Sequence, residues 1–222
     1  MRGSSVSAVD ALQLLKGRGC GRLGVLGGSF DPVHMGHLVV AQEALHQFHL
    51  DHVVLMPTGT PPHKREILTA GELRYLMAHM ATASHERLWV SRLELERGGT
   101  HYTVDTMSYL RDFMPPATEL FFITGADAVL EILTWKEPER LLSLASLIAA
   151  SRPGHDLAGL SQIAQSLEGG DRISAMEIPG LAVSSSMIRE RRRAGEPIRY
   201  LVPECVAEFM DKWGLYLTPG GG

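Results

Sequence analysis

The sequence predicts an α/β protein built on a doubly wound parallel sheet, with a helical segment at its C-terminal end. Three observations predict this. Short apolar runs alternate along the chain with stretches of helical periodicity. Several of those runs are apolar at successive positions, as strands covered on both faces are. Strand followed by helix, repeated, implies parallel β-α-β units with right-handed crossovers. Sheets of this kind bind ligands beyond the carboxyl ends of their strands, where the strand order switches.

The strands read in order as residues 22–26, 52–56, 88–93, 119–124 and 144–150, with 173–178 a weaker sixth. Val53, Val54, Leu55 and Met56, and then Leu120, Phe121, Phe122 and Ile123, leave no polar face in the second and fourth. Between them, Leu38, Ala41, Leu45 and Phe48 form one helical stripe. Leu73, Leu76, Met77 and Met80 form another, opened by Thr69 and Glu72 at capping-box spacing. Val104, Met107, Leu110 and Phe113 make a third. Val206, Phe209, Met210 and Trp213 make the last, after Pro203, a good first helical residue.

A chain of 222 residues, 45% hydrophobic and 21% charged, is one generous domain with an ordinary globular balance. The reading is an N-terminal extension over 1–21 (a weak helix or a loose arm), a single domain over 22–217 and a flexible tail over 218–222. A net charge of −4 argues against a nucleic-acid-coating protein, so any polyanion must be met by a local site. No apolar run approaches the roughly 20 residues that cross a bilayer. Cys20 and Cys205 show no CxxC spacing, and no secretory leader opens the chain. These features predict a cytoplasmic protein without a membrane or nucleic-acid partner.

The first strand runs into Gly27-Gly28-Ser29-Phe30-Asp31-Pro32-Val33-His34-Met35-Gly36-His37, which opens the first long helix. Glycines let backbone N–H groups approach a phosphate, and a helix N-terminus adds unpaired donors. His34 and His37, three apart, share one side of a helical turn. Imidazoles there can donate to phosphate oxygens and would bind better if protonated. The segment is neither G-x-G-x-x-G nor a P-loop. Late in the chain, Val183-Ser184-Ser185-Ser186-Met187-Ile188-Arg189 leads hydroxyls into a helix ending near Gly195. Such serines cap a helix or bind phosphate, and Arg189 can fork onto a polyphosphate. Arg191, Arg192 and Arg193 read as a solvated face.

The first segment matches the GxFDPxHxGH signature of the nucleotidyltransferase superfamily and resembles the HxGH element of class I aminoacyl-tRNA synthetases. The segment at 183–189 resembles the (I/V)SS(T/S)xIR signature of its adenylyltransferases, with Ser186 where many relatives have Thr. Together with Pro61-Pro62-His63-Lys64, Tyr102-Thr103-Val104-Asp105-Thr106, Gly125-Ala126-Asp127 with Trp135, and Arg152-Pro153-Gly154, the stretch 22–216 resembles the bacterial nicotinate-nucleotide adenylyltransferase family. The resemblance implies a Rossmann-like nucleotidyltransferase fold. It also implies the reaction: ATP plus nicotinate mononucleotide gives deamido-NAD and pyrophosphate, with Mg²⁺ carried mainly on the ATP phosphates and no dedicated protein metal site.

By the same resemblance, His34, His37 and Arg189 form the catalytic set. Gly27, Gly28, Ser29 and Phe30 line the phosphate and ribose path, and Gly125 and Asp127 lie near the adenosine ribose. Arg152, Ser185, Ser186, Met187 and Ile188 belong to the ATP side. Lys64 meets substrate or ATP phosphate, and Thr103, Thr106 and Trp135 form the pyridine pocket. Read from the residues alone, Trp135 could be core, Asp127 could cap a helix beginning at Ala128, and Lys136 could meet a carboxylate or be solvated. Other adenylyl acceptors, nicotinamide mononucleotide or phosphopantetheine, stay open, as does an ATP-sensing module. A synthetase is disfavoured: the chain is short, with no KMSKS-like segment. His46, His49 and His52 recur every third residue but cross from a helix end into a strand, which argues against a metal site. Homo-oligomerisation is allowed by the sequence but not specified by it.

Overall fold

A computed structural model describes residues 10–59, 69–97, 100–152 and 158–218. Lys64, the Pro153-Gly154 pair and residues 1–9 and 219–222 therefore lie outside the described residues.

The strands are β1 (Arg22–Gly28), β2 (His52–Pro57), β3 (Leu88–Val90), β4 (Glu119–Gly125), β5 (Ser146–Ser151) and β6 (Ile173–Glu177). They form one parallel sheet in the order β3-β2-β1-β4-β5-β6, so the order reverses between β1 and β4. Alternate residues of each strand feed two cores. Leu26, Val53, Leu55, Ile123 and Ile148 face one side; Leu23, Val25, Val54, Met56, Phe122 and Leu147 face the other. Removing both faces from water is what these unbroken apolar runs were suited to.

On the first side pack α2 (Met35–Gln47), α3 (Gly71–Thr82), α9 (Ser185–Arg193) and α10 (Glu204–Lys212). On the second pack α1 (Ala11–Arg18), α5 (Thr103–Phe113), α6 (Ala126–Leu130), α7 (Pro138–Leu144) and α8 (Ala158–Ser166). Within the stretch read as an extension, α1 is capped by Asp10 and buries Leu12 and Leu15 in the second core. The Asp10 carboxylate also accepts from Ser91 Oγ at 3.0 Å and from the Arg92 N–H at 2.9 Å.

Several local expectations are corrected. The third strand stops at Val90, because Ser91 and Arg92 turn to Asp10 and α4 (Leu93–Arg97) follows at once. Leu144 ends α7 rather than opening β5. Thr69 and Glu72 form no capping box: Ala70 is the N-cap of α3, the Thr69 N–H goes to Asp31 Oδ2, and Glu72 pairs with Arg92. The α3 face is also rotated, burying Arg74, Met77, Ala78 and Thr82. Pro203 is the N-cap of α10, and Trp213 at its end is 55% exposed rather than core. Asp127 lies in the first turn of α6, with Gly125 at the N-cap, so the capping alternative falls away.

Candidate active site

Two cavities open where the strand order reverses, at the carboxyl ends of β1 and β4. The first, about 340 Å³, is lined by Gly27, His34, Gly36, His37, Gly125, Asp127 and Arg152, with Leu181 and Val183 on its far side. The second, about 400 Å³, is lined by Gly28, Ser29, Thr58, Glu94, His101, Thr103, Thr106 and Trp135. Gly27 and Thr124 line both and form their common wall. Expected site residues thus fall into two groups facing one switch point.

In the first cavity the two imidazoles stack, with ring centroids 3.7 Å apart. His34 is the N-cap of α2, and its backbone N–H donates to His37 Nδ1 at 3.2 Å. A ring nitrogen that accepts carries no proton, so the His37 proton sits on Nε2 as a donor. Gly36 leaves room beside this pair: a Cβ there would lie tightly, 3.1 Å from His34 Nδ1 and 3.1 Å from Val183 Cγ1. Burial, with the Arg152 charge adding to it, pushes the His34 pKa down to about 4, so at neutral pH it is uncharged.

This shift makes a stability prediction. Above its ordinary value of 6.5 the ring is neutral whether folded or unfolded and exerts no pH dependence. As the pH falls from 6.5 towards 4 the unfolded chain takes up the proton first, so stability declines through that window. Urea titrations at pH 7, 5.5 and 4.5 should show a decline that is shallower in His34→Gln. Parallel slopes would sink the assignment.

Phe30, expected on the phosphate path, is fully buried and packs edge-on against His37 at 4.9 Å, so its ring supports the histidine from beneath. Gly28 and Ser29, expected on the phosphate and ribose path, line the second cavity. There Trp135 is half-buried and meets Phe122 edge-on, leaving it on the cavity wall rather than in the interior. Thr106 Oγ1 donates to Glu94 Oε1 at 2.8 Å, and burial raises the Glu94 pKa above its ordinary value. Lys136 is ion-paired with Asp105 at 3.0 Å.

Of the late serine–arginine segment, Val183 lines the first cavity, while Ser184 to Arg189 line neither cavity among the described residues and are bound to the loop that carries the histidines. Ser184 is the N-cap of α9 and accepts from the Met187 N–H. Ser185 Oγ donates to Pro32 O at 2.9 Å, and Arg189 Nη1 donates to Asp31 O at 2.9 Å. Ser186 is exposed and meets Arg189 Nη2 at 3.4 Å. Met187 is half-buried against the core. Ile188 is fully buried and its N–H goes to Ser184 O, so it anchors α9 and offers a ligand nothing. Among the described residues no three metal-binding side chains cluster, His46 and His49 are exposed, and His52 accepts from Trp89 Nε1.

Asp31, Arg74, Glu94, Thr124 and Tyr216 were given no role from the sequence, although Tyr216 closed the stretch that carries the family resemblance. Asp31 stood inside the first signature and Arg74 interrupted an apolar stripe. Asp31 and Arg74 are the two most buried charged groups among the described residues.

The profile of the family described as Cytidylyltransferase-like matches residues 25–191. A protein of Tropheryma whipplei (strain Twist) named "Probable nicotinate-nucleotide adenylyltransferase" is 50% identical over 191 residues, covering 86% of this chain and 97% of the relative. The chain belongs to the nicotinate-nucleotide adenylyltransferase family. A second member of that family, from Moorella thermoacetica, is 48% identical over 199 residues, 88% of this chain and 92% of the relative. A solved Plasmodium falciparum nicotinic acid mononucleotide adenylyltransferase complexed with NaAD shares the fold, with TM-score 0.73 at 19% identity over 88% of this chain and 97% of that one. No helix among the described residues is long and apolar enough to cross a membrane.

Proposed function

We propose that the protein transfers the adenylyl group of ATP to nicotinate mononucleotide, giving deamido-NAD and pyrophosphate. One observation carries the reading: two cavities of nucleotide size meet at a common wall, with stacked histidines on one side and Thr103, Thr106 and Trp135 on the other. Family membership supports the choice of acceptor.

ATP occupies the first cavity with its phosphates at the N-terminus of α2, where the helix dipole favours an anion. The acceptor occupies the second, its ring against Trp135. An oxygen of its phosphate attacks the ATP α-phosphorus in line. The new P–O bond forms as the bond to the β-phosphate bridging oxygen breaks, and pyrophosphate leaves with that electron pair. The attacking phosphate is already anionic, so no base need take a proton. The protein's task is positioning and stabilisation of spreading negative charge. His37 Nε2–H donates to the α-phosphate, neutral His34 orients His37, and Arg152 and Arg189 supply positive charge.

Asp127 is the one carboxylate among the described residues lining the first cavity. That donor set suits a Mg²⁺ arriving on the triphosphate with phosphate and water ligands, where it would offset phosphate charge.

The test is pyrophosphate release from ATP with nicotinate mononucleotide, nicotinamide mononucleotide or phosphopantetheine as acceptor. Release with the first well above the other two is expected. Faster release with either alternative would reassign the acceptor, and ATP binding without release for any of them would leave a sensor.

A further inference from the structure

Behind the loop that carries the histidines lies a buried polar network that lines neither cavity. Asp31 is 2% exposed. Its Oδ1 accepts from the Tyr216 hydroxyl at 2.5 Å and its Oδ2 from the Thr69 N–H at 3.3 Å. Arg74, equally buried, donates to Ser29 O at 2.7 Å, Thr58 O at 2.8 Å and Thr69 O at 2.9 Å. The backbone of the same two loop residues holds α9, through Arg189 on Asp31 O and Ser185 on Pro32 O. Asp31 thus joins the C-terminal end of the chain to the residues read as the ATP side.

A buried carboxylate must be matched by donors or it destabilises its site, so the loop is held wherever those donors are. Tyr216 supplies one from an unusual place. Its φ is +62°, a backbone region that favours glycine and holds an aromatic residue only where surroundings fix it. Burial and the adjacent Asp31 charge raise the phenol pKa well above its ordinary value, so the hydroxyl stays a donor across the working range.

We propose that Tyr216 is a positioning residue for adenylyl transfer: its hydroxyl fixes Asp31, and the Asp31 and Pro32 carbonyls in turn fix Arg189 and Ser185 against the ATP phosphates. The inference rests on the adenylyl-transfer reading and adds a residue 185 positions away in sequence from the carboxylate it holds.

The experiment is a double-mutant cycle of Tyr216→Phe and Arg189→Ala, read as kcat/KM for ATP, KM for nicotinate mononucleotide and Tm. Tyr216→Phe is expected to lower kcat/KM for ATP about tenfold, the loss of one hydrogen bond to a charged group. It should leave the acceptor KM unchanged, and in the Arg189→Ala background it should change kcat/KM less than twofold. A simple packing defect would act alike in both backgrounds. Multiplicative effects, an equal rise in the acceptor KM or wild-type activity in Tyr216→Phe would overturn the proposal. Should Tyr216→Phe fail to fold, Asp31→Asn enters the same cycle with the same expectations. Should the wild type not use nicotinate mononucleotide, the cycle is read on ATP affinity by calorimetry. Loss of the function reading and loss of this inference then appear as different results.

Discussion

Replacing His37 by alanine lowers kcat/KM for adenylyl transfer by about 10² to 10³, the range for removing one donor aimed at developing oxyanion charge. The proton of its ring stands on Nε2 because Nδ1 is engaged by the His34 N–H. No other imidazole on that wall is equivalent: His34 is buried and its position is fixed by capping α2. The fold should survive, since His37 is only half-buried. Circular dichroism and thermal melting would check that, alongside steady-state rates at saturating acceptor. Turnover within a few-fold of wild type would remove His37 from the chemistry.

The second large effect is expected at Arg189. A charged hydrogen bond contributes about 1.5–3 kcal/mol, so Arg189→Ala should lower kcat/KM for ATP by roughly 10- to 100-fold. The acceptor KM should stay near wild type, because the arginine reaches the loop beside the first cavity and lines neither chamber. Arg189→Lys should recover little, since a lysine lacks the planar fork that bonds Asp31 O and Ser186 Oγ together. Equal losses for both substrates, with a depressed Tm, would make Arg189 a strut of α9 and nothing more.

Much of the architecture was legible because it is written in short-range pattern. Runs such as Val53 to Met56 leave no polar face, which only a doubly covered strand tolerates, and both cores use them alternately. The α5 stripe of Val104, Met107 and Leu110 is buried as its spacing demands. The glycine–histidine turn after β1 and the late serine–arginine segment were visible as signatures, and the fold ties them through Asp31 and Pro32. Long-range causes were not visible. The end of β3 depends on Asp10, far away in sequence, and the capping box at Thr69 lost to Asp31. Arg74 points inward because four carbonyls await it there, which helical periodicity cannot express. The neutral state of His34 comes from tertiary burial, which residue type alone does not reveal.

The partition formed by Gly27 and Thr124 constrains how this enzyme could diverge. A Cβ at Gly27 would already lie 2.9 Å from the Phe122 ring, which lines the second chamber, so bulk added there crowds that side first. Variation that the two chambers can absorb lies further out, around Leu181 on one flank and Trp135 on the other, while the centre stays bare.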